Sequence, residues 1–481
     1  MLTGLSPIVF NPGFAAMRQY LLKIIAIGIL LPFFSVLRAQ SAKPNIVFIV
    51  ADDLGRADCG FMGGKVIKTP HLDRLAAAGS ILDAHYVQPV CSPTRAAIMT
   101  GRYPMRHGLQ TGVVRPWAQY GLPLEEQTMA DMLRSAGYKT AISGKWHLGH
   151  FRPEYLPTRR GFDHQYGHYN GAIDYFTHMR DGGFDWHRDD KVSRDEGYTS
   201  QLLGQFGAEF VSTHAGKSPF FLYVPFNAVH TPLQAPQKYL DMYPNLTGGR
   251  KTYAAMLTAM DDAVGQIVNA VEKSGQQPNT LFIFTSDNGG PSPGKITDNG
   301  PYRAGKSTLY EGGVRVAAFA TWPGKIKSGN TISEPVHAVD WYPTLARLAS
   351  SGLNQKLPLD GLDIWPVITE NARSPHDAIL LNTNPNAGAI RARDWKLVVK
   401  TGEDDPDDDQ PKARKKAFRP VIELFNLKND PFEKNNLAGA EPAKTAELKL
   451  LLEAYSRQAI PPKSKAKSAD FKSPEIWGEF K

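Results

Sequence analysis

Two short, mostly apolar runs in this chain each end in a pair of polar side chains, and this pattern constrains the fold more than any other feature. The pairs follow their runs directly: Asp52 and Asp53 come after NIVFIVA, and Asp287 and Asn288 come after TLFIFTS. Runs of this length and polarity are typical of strands buried in a parallel sheet. Because ligands bind beyond the carboxyl ends of strands in open α/β sheets, we expect both pairs at one functional edge.

Other segments of the chain alternate between strand and helix patterns. Residues 139–143 and 219–226 are predicted strands, while residues 69–79, 124–137 and 253–273 have the apolar spacing of helices. This alternation predicts an α/β protein in which helices cover both faces of a mixed sheet.

The composition changes near residue 374 and predicts a second, smaller unit. Amphipathic strands are predicted at 389–400 and 421–427 and a helix at 442–459, which indicates an α+β subdomain with an antiparallel sheet. Between these strands an acidic run precedes a basic run, and a solvated loop is favoured there over a metal or glycan contact. The tail from residue 461 is rich in lysine, serine and proline, a composition typical of partial disorder.

The first 42 residues have the order of a secretory signal. Arg18 and Lys23 precede an apolar run that ends at Leu37, and small residues follow it. The run is short for a membrane-spanning helix, so a cleaved signal is favoured over an uncleaved anchor. We therefore predict a secreted or periplasmic protein without stable membrane insertion. Its parts are a signal region, a large α/β domain and a C-terminal subdomain, at 1–42, 43–373 and 374–481.

Charge and cysteine content limit the possible partners and compartments. The net charge of +8 is modest for 481 residues and is not clustered, which argues against nucleic acid as a partner. Only Cys59 and Cys91 occur, and so few cysteines in an exported chain favour a bacterial protein over an animal lysosomal one. A disulfide between these two cysteines is one possible structural role for them.

The string CSPTRAAIMTGR, which begins at Cys91, carries the most specific chemical signal. Pro93 suits the first turn of a helix and Gly101 suits its end, so Cys91 is predicted at a helix N-terminus, where N–H groups and Arg95 attract an anion. For a lone C-x-P, a structural cysteine would be the simpler interpretation. The complete string resembles the signature of type I sulfatases, whose cysteine is oxidised to Cα-formylglycine.

Six further blocks match the sulfatase family in the same order along the chain. They are GKWHLG (144–149), PTRRGFD (157–163), NAVHTPLQAP (227–236), YRAGKSTLYEGG (302–313), DWYPTL (340–345) and LDGLD (359–363). The resemblance implies an alkaline-phosphatase-like α/β core and a sulfuric ester hydrolase (arylsulfatase type) that acts on sulfated carbohydrate. Within the family, the blocks look most similar to the arylsulfatase B group, which acts on 4-sulfated N-acetylgalactosamine.

The polar pairs after the two apolar runs predict a metal site. Asp52, Asp53, Asp287 and Asn288 offer only oxygen ligands, which favours a hard cation over zinc. Calcium fits best because it accepts irregular geometry and leaves room for Cys91 and the substrate. Taken alone, an Asp-Asp pair after a strand is more often a helix cap or a turn.

The resemblance also implies six catalytic residues: Cys91, Arg95, Lys145, His147, His230 and Lys306. Hydrated formylglycine at Cys91 would attack sulfur, and His230 with Lys306 would contact sulfate and protonate the leaving oxygen. His147 would take the proton of the second hydroxyl, since its ordinary pKa lies near working pH. Arg95 and Lys145 would add positive charge. A formylglycine-generating maturation enzyme is the implied partner.

Several alternatives remain open at this point. The same nucleophile serves phosphomonoester and phosphonate hydrolases, and a non-catalytic protein that binds sulfated glycans would keep an unmodified Cys91. Relative rates on aryl sulfate and aryl phosphate distinguish a sulfatase from a phosphomonoester or phosphonate hydrolase. The mass of the Cys91 peptide distinguishes a sulfatase from a non-catalytic binding protein. Substrate choice is expected in the loop at 166–188, and algal galactan sulfates are an alternative substrate to 4-sulfated N-acetylgalactosamine.

Overall fold

The computed structural model describes residues 43–291, 295–353, 355–384, 387–400 and 420–480. The predicted signal region and the acidic and basic runs at 403–416 therefore lie outside the described residues. Within the described part, no helix has the length and apolar character needed to cross a membrane.

The strands, in chain order, are β1 Asn45–Ala51, β2 Ser80–Leu82, β3 His85–Tyr86, β4 Lys139–Lys145, β5 His164–His168, β6 Met179–Arg180, β7 Gly183–Phe184, β8 His187–Arg188, β9 Lys191–Val192, β10 Phe220–Pro225, β11 Thr280–Ser286, β12 Arg315–Val316, β13 Ala318–Thr321, β14 Asn330–Ile332, β15 Val336–His337, β16 Ile379–Asn384, β17 Ala387–Ala392, β18 Trp395–Lys400 and β19 Val421–Asn426. The α-helices are α1 Pro70–Ala77, α2 Cys91–Thr100, α3 Met129–Ser135, α4 Thr199–His214, α5 Gln237–Leu240, α6 Gly248–Lys273, α7 Glu311–Val314, α8 Trp341–Leu348, α9 Trp365–Glu370 and α10 Pro442–Ser456.

A large mixed sheet forms the centre of the protein, in the order β14-β2-β13-β11-β1-β10-β4-β5-β8-β9. Strands β11, β1, β10, β4 and β5 are parallel to one another, whereas β13 is antiparallel to β11 and β8 is antiparallel to β5. The predicted alkaline-phosphatase-like mixed sheet is confirmed. In the register of β1 with β11, Ala51 lies beside Ser286, so the two predicted polar pairs emerge next to each other.

Helices cover both faces of this sheet because its central strand is apolar on both sides. Side chains of β1 alternate between two apolar clusters, with Val47 and Ile49 in one and Ile46 and Phe48 in the other. The first cluster contains the buried faces of α4 and α6, and the second those of α2, α3 and α8. Fully buried strands of this kind carry continuous apolar runs, as observed.

The C-terminal subdomain is a four-stranded antiparallel sheet, in the order β16-β17-β18-β19, with α10 beside it. The segment 389–400, predicted as one strand, forms parts of β17 and β18, because a turn at Arg393 (φ 53°) folds the segment back on itself. A buried ion-pair group joins this sheet to helix α7: the Lys396 ammonium lies 2.9 Å from both Glu311 of that helix and Glu433. The boundary at residue 373 stays a prediction.

Two other segments differ from their predictions. The helix predicted at 124–137 begins only at Met129, because the Thr128 hydroxyl caps it by accepting from the Asp131 N–H at 3.0 Å. The tail from Pro461 to Phe480, predicted to be partly disordered, packs against the larger domain. There Trp477 of the tail meets the His150 ring edge to face, with ring centroids 5.4 Å apart.

Candidate active site

The carboxyl ends of β1 and β11 bring the predicted metal ligands together. One ligand atom from each of Asp52, Asp53, Cys91 and Asp287 lies within 4.8 Å of the others, and all four residues are buried. Asp53 has a left-handed backbone (φ 61°), a conformation that is strained for a residue other than glycine and is found at functional sites. The Cys91 Sγ lies 3.5 Å from the Asp52 carboxylate.

Asn288 lies beside this group and contacts it through its side-chain nitrogen. Its amide nitrogen donates to the Asp53 carboxylate at 2.7 Å and to the Gly289 carbonyl at 3.0 Å, so the oxygen faces the other way. That oxygen is buried and has no hydrogen-bond partner. A buried amide oxygen without a donor is costly unless a cation binds it. The donor set therefore fits a hard cation such as calcium.

A cationic side chain of the protein binds each of the three carboxylates. Lys145 Nζ lies 2.6 Å from Asp52. Arg95 donates to Asp287 from two nitrogens, at 2.7 and 3.0 Å. Lys306 Nζ donates to Asp53 at 3.0 Å. These pairs balance the negative charge that would otherwise be buried without a partner.

The pKa values of the carboxyl groups reflect this crowding. Burial opposes ionisation of Asp52, but the positive charges of Lys145 and Arg95 hold its pKa below the usual range. Burial raises the pKa of Asp287 to about 6, and the negative charge of Asp52 acts in the same direction. An additional cation among these groups would favour their full ionisation.

Cys91 is the first residue of α2, and every residue of that helix is buried. Pro93 lies in the first turn and Gly101 ends the helix with φ 68°, as the sequence predicts. Both cysteines are free thiols in the structure, so the alternative Cys59–Cys91 disulfide is absent. Burial raises the pKa of the Cys91 thiol well above its ordinary value, and the negative charge of Asp287 raises it further. An unmodified thiol here is protonated and a poor nucleophile.

His147 follows β4 and lines the same cavity as Cys91. Its Nε2 lies 3.0 Å from the Val114 carbonyl, and because a carbonyl only accepts, Nε2 donates. The neutral ring therefore has its lone pair on Nδ1, which is buried and has no partner. Burial lowers the pKa of His147 well below its usual value, and the charges of Lys145 and Arg95 lower it further. The ring is a neutral base.

His230 and Lys306 form a second pair beside Asp53. His230 Nδ1 donates to the Thr231 carbonyl at 2.7 Å, so the lone pair of the neutral ring lies on Nε2. This Nε2 is 3.4 Å from Lys306 Nζ and 3.6 Å from the Asp53 carboxylate. Burial lowers the pKa of His230. An anion bound nearby would favour the protonated form of the His230 ring. His230 or Lys306 could then donate a proton to a leaving group.

A cavity of about 350 Å³ opens onto these groups. Of the residues predicted from sequence, five line it: Asp53, Cys91, His147, His230 and Lys306. The buried Arg95 and Lys145 do not line it and lie behind the carboxylates that they bind. Arg115 and Arg180 also line the cavity and were not predicted. Arg180 falls in the loop predicted to select substrate, whereas no sequence signal marks Arg115.

Comparisons with known proteins agree with this geometry. Residues 44–351 match the sulfatase family, and the chain belongs to it. The chain is similar to arylsulfatase J of Mus musculus, with 36% identity over 488 residues, which covers 92% of this chain and 81% of that protein. It is 35% identical to N-acetylgalactosamine-6-sulfatase of Mus musculus over 377 residues, covering 73% and 70%.

A solved structure extends the comparison to three dimensions. The structure of Ps i-CgsB has a TM-score of 0.78 and 36% identity, and the match covers 87% of this chain and 94% of that one. A second structure of that protein contains k-i-k-neocarrahexaose. The chain is therefore a sulfuric ester hydrolase with the fold of the sulfatases.

Proposed function

We propose that the chain is a calcium-dependent sulfatase whose nucleophile derives from Cys91 by oxidation to Cα-formylglycine. The observation that carries the proposal is the buried group of Asp52, Asp53, Asp287 and Cys91, with the unpartnered oxygen of Asn288 beside it. A protonated thiol in this position has no catalytic use, whereas an aldehyde hydrate supplies one hydroxyl to bond to sulfur and another to expel sulfate. Calcium, when bound, would neutralise charge on the sulfate oxygens.

The protein's own side chains bind sulfate and move protons. Lys306 and His230 hold sulfate oxygens at the cavity wall and deliver a proton to the leaving oxygen. His147 accepts a proton at Nδ1, the one ring nitrogen with an open lone pair. Arg95 and Lys145 keep Asp287 and Asp52 ionised and oriented.

Replacing His230 by alanine is expected to reduce turnover of a sugar sulfate far more than that of nitrophenyl sulfate. A sugar alkoxide is a poor leaving group and needs the proton, whereas nitrophenolate leaves with little help. We expect a loss of about 10²–10⁴-fold in kcat on the sugar and about tenfold or less on the aryl ester. Steady-state kinetics on both substrates measure the ratio.

His230→Gln serves as the matched variant, because it keeps a polar side chain that does not titrate. It should show the same substrate dependence as His230→Ala. Equal losses on both substrates would assign His230 to sulfate binding alone.

We propose that the natural substrate is a sulfated sugar with galactose configuration at the end of a glycan. The arylsulfatase-B-like sequence blocks favour 4-sulfated N-acetylgalactosamine of chondroitin or dermatan sulfate. The carrageenan oligosaccharide bound by Ps i-CgsB supports an algal galactan as the second candidate. Arg115 and Arg180 at the cavity wall suit an anionic sugar in both cases.

Defined oligosaccharides test this proposal. We expect desulfation of a chondroitin disaccharide with a 4-sulfate to exceed that of the 6-sulfate isomer and of the intact polymer by at least about tenfold in kcat/KM. Carrageenan oligosaccharides are measured in parallel. Preference for the 6-sulfate or for internal sulfates would contradict the assignment, and preference for carrageenan would select the second candidate. Aryl phosphate turnover faster than aryl sulfate turnover would instead favour the phosphomonoester and phosphonate hydrolases.

We further propose that the protein is exported, on the basis of the charged, apolar and small-residue order in residues 1–42. The low cysteine content favours a bacterial periplasm or exterior. Because every residue of α2 is buried in the folded protein, a formylglycine-generating enzyme must act on the Cys91 segment before the chain folds.

A further inference from the structure

The C-terminal tail, residues 461–480, packs against the loop that contains Arg115 and Trp117. Lys463 N–H donates to the Gly108 carbonyl at 2.8 Å, and Trp117 Nε1 donates to the Lys465 carbonyl at 3.2 Å. Further along, Trp477 N–H donates to the Phe184 carbonyl at 2.9 Å. The tail therefore has a defined course over this face of the catalytic domain.

Tail and loop enclose a groove of about 570 Å³, which we call the tail groove. Aromatic and basic side chains dominate its lining: Trp117, Tyr120, Lys463, Lys465 and Phe471. Trp117 and Phe471 meet edge to face with centroids 6.5 Å apart, and Lys467 Nζ lies 5.5 Å from each ring. Asp470 also lines the groove, and its carboxylate accepts a hydrogen bond from the Ser468 hydroxyl.

Consecutive residues of one loop line the catalytic cavity and the tail groove. Arg115 and Pro116 line the catalytic cavity, and the next residue, Trp117, lines the groove. The Arg115 guanidinium lies 5.9 Å from the centre of the Trp117 ring, so a basic residue of the cavity neighbours an aromatic ring of the groove. Trp477 of the tail donates to the Arg180 carbonyl at 2.8 Å, which links the tail to a second basic residue of the cavity.

We propose that the tail groove binds sulfated sugar units that neighbour the one being hydrolysed, so that the enzyme favours oligosaccharides over single sugars. Aromatic rings pack against the apolar faces of sugars, and lysine ammonium groups pair with sulfate esters. Aromatic rings and lysine side chains line this groove together, and the loop that carries Trp117 also lines the catalytic cavity. The inference rests on the proposed function, because it takes a sulfated glycan as the substrate.

The test compares two double variants that each remove two positive charges. K463Q/K465Q removes the ammonium groups of the groove, whereas K428Q/K472Q removes exposed lysines that line no cavity described above. Each is assayed with nitrophenyl sulfate, a monosaccharide sulfate, and hexasaccharides of chondroitin 4-sulfate and of carrageenan. We expect K463Q/K465Q to lose about tenfold in kcat/KM on the preferred hexasaccharide and less than about twofold on the two small substrates.

A binding measurement separates this inference from the proposed function. The full chain with an unmodified Cys91 thiol, produced without the maturation enzyme, is titrated with the same hexasaccharides. K463Q/K465Q should weaken binding about tenfold, and K428Q/K472Q should leave it unchanged. Unchanged binding, an equal effect of the control pair, or equal loss on nitrophenyl sulfate would overturn the inference. If no glycan is desulfated but binding still weakens only in the groove variant, the proposed substrate fails and the groove assignment stands.

Discussion

Replacing Cys91 by alanine is expected to abolish turnover of every sulfate ester, with a loss of about 10⁴-fold or more in kcat. Of the other described residues that line the cavity, none supplies a hydroxyl or thiol in contact with the buried carboxylates. In the active wild-type enzyme, the peptide that contains Cys91 should have the mass of an aldehyde in place of a thiol. It should also react with a hydrazide probe, and Cys91→Ala should not.

Cys59→Ala is the matched control, because Cys59 is also buried and lies in the apolar core outside the site. Its loss of a small apolar group should lower stability by about 1 kcal/mol and leave kcat nearly unchanged. Fully active enzyme with a free thiol at Cys91 would contradict the proposed nucleophile.

Removal of divalent metal is expected to abolish turnover, and calcium should restore it better than zinc. The site presents three carboxylates with the Asn288 amide beside them, a set that suits calcium, and the clustered ligand atoms of the described residues include no histidine or second cysteine to select zinc. Calcium at a hundredfold excess over its dissociation constant should also raise the free energy of unfolding by about 2.7 kcal/mol. Thermal melts with and without calcium measure this shift independently of activity.

Asn288→Ala provides a sharper form of the same experiment. It removes the unpartnered oxygen and keeps the three carboxylates, so the calcium concentration for half-maximal activity should rise about 10- to 100-fold. Asn299→Ala is a control in a neighbouring loop, because Asn299 bonds only to backbone groups of Gly290 and Ala304. Full activity of a verified metal-free sample would refute the calcium site.

The sequence predictions were most accurate where the signal came from a few adjacent residues. The strands at Asn45–Ala51 and Thr280–Ser286 have the predicted bounds, because an apolar run with polar ends reports burial of its own residues. The helix at 124–137 was predicted too long, since its apolar spacing extends past the capping residue Thr128. The tail was predicted by composition alone, and composition does not report the few aromatic contacts, such as Trp477 with His150, that join it to the rest of the protein.

The sequence by itself determined that Asp52, Asp53, Asp287 and Cys91 lie together. The polar pairs after β1 and β11 each depend on a few adjacent residues, and so do the helix signals around Cys91. Both can therefore be recognised without knowledge of the fold. Only the tertiary structure decided which charges pair, which nitrogen of His147 is open, and which arginines reach the cavity. Arg95 and Asp287 are 192 positions apart, and the carbonyl that orients His147 belongs to Val114. Such contacts depend on how the helices and loops pack on the sheet, which a local pattern does not encode.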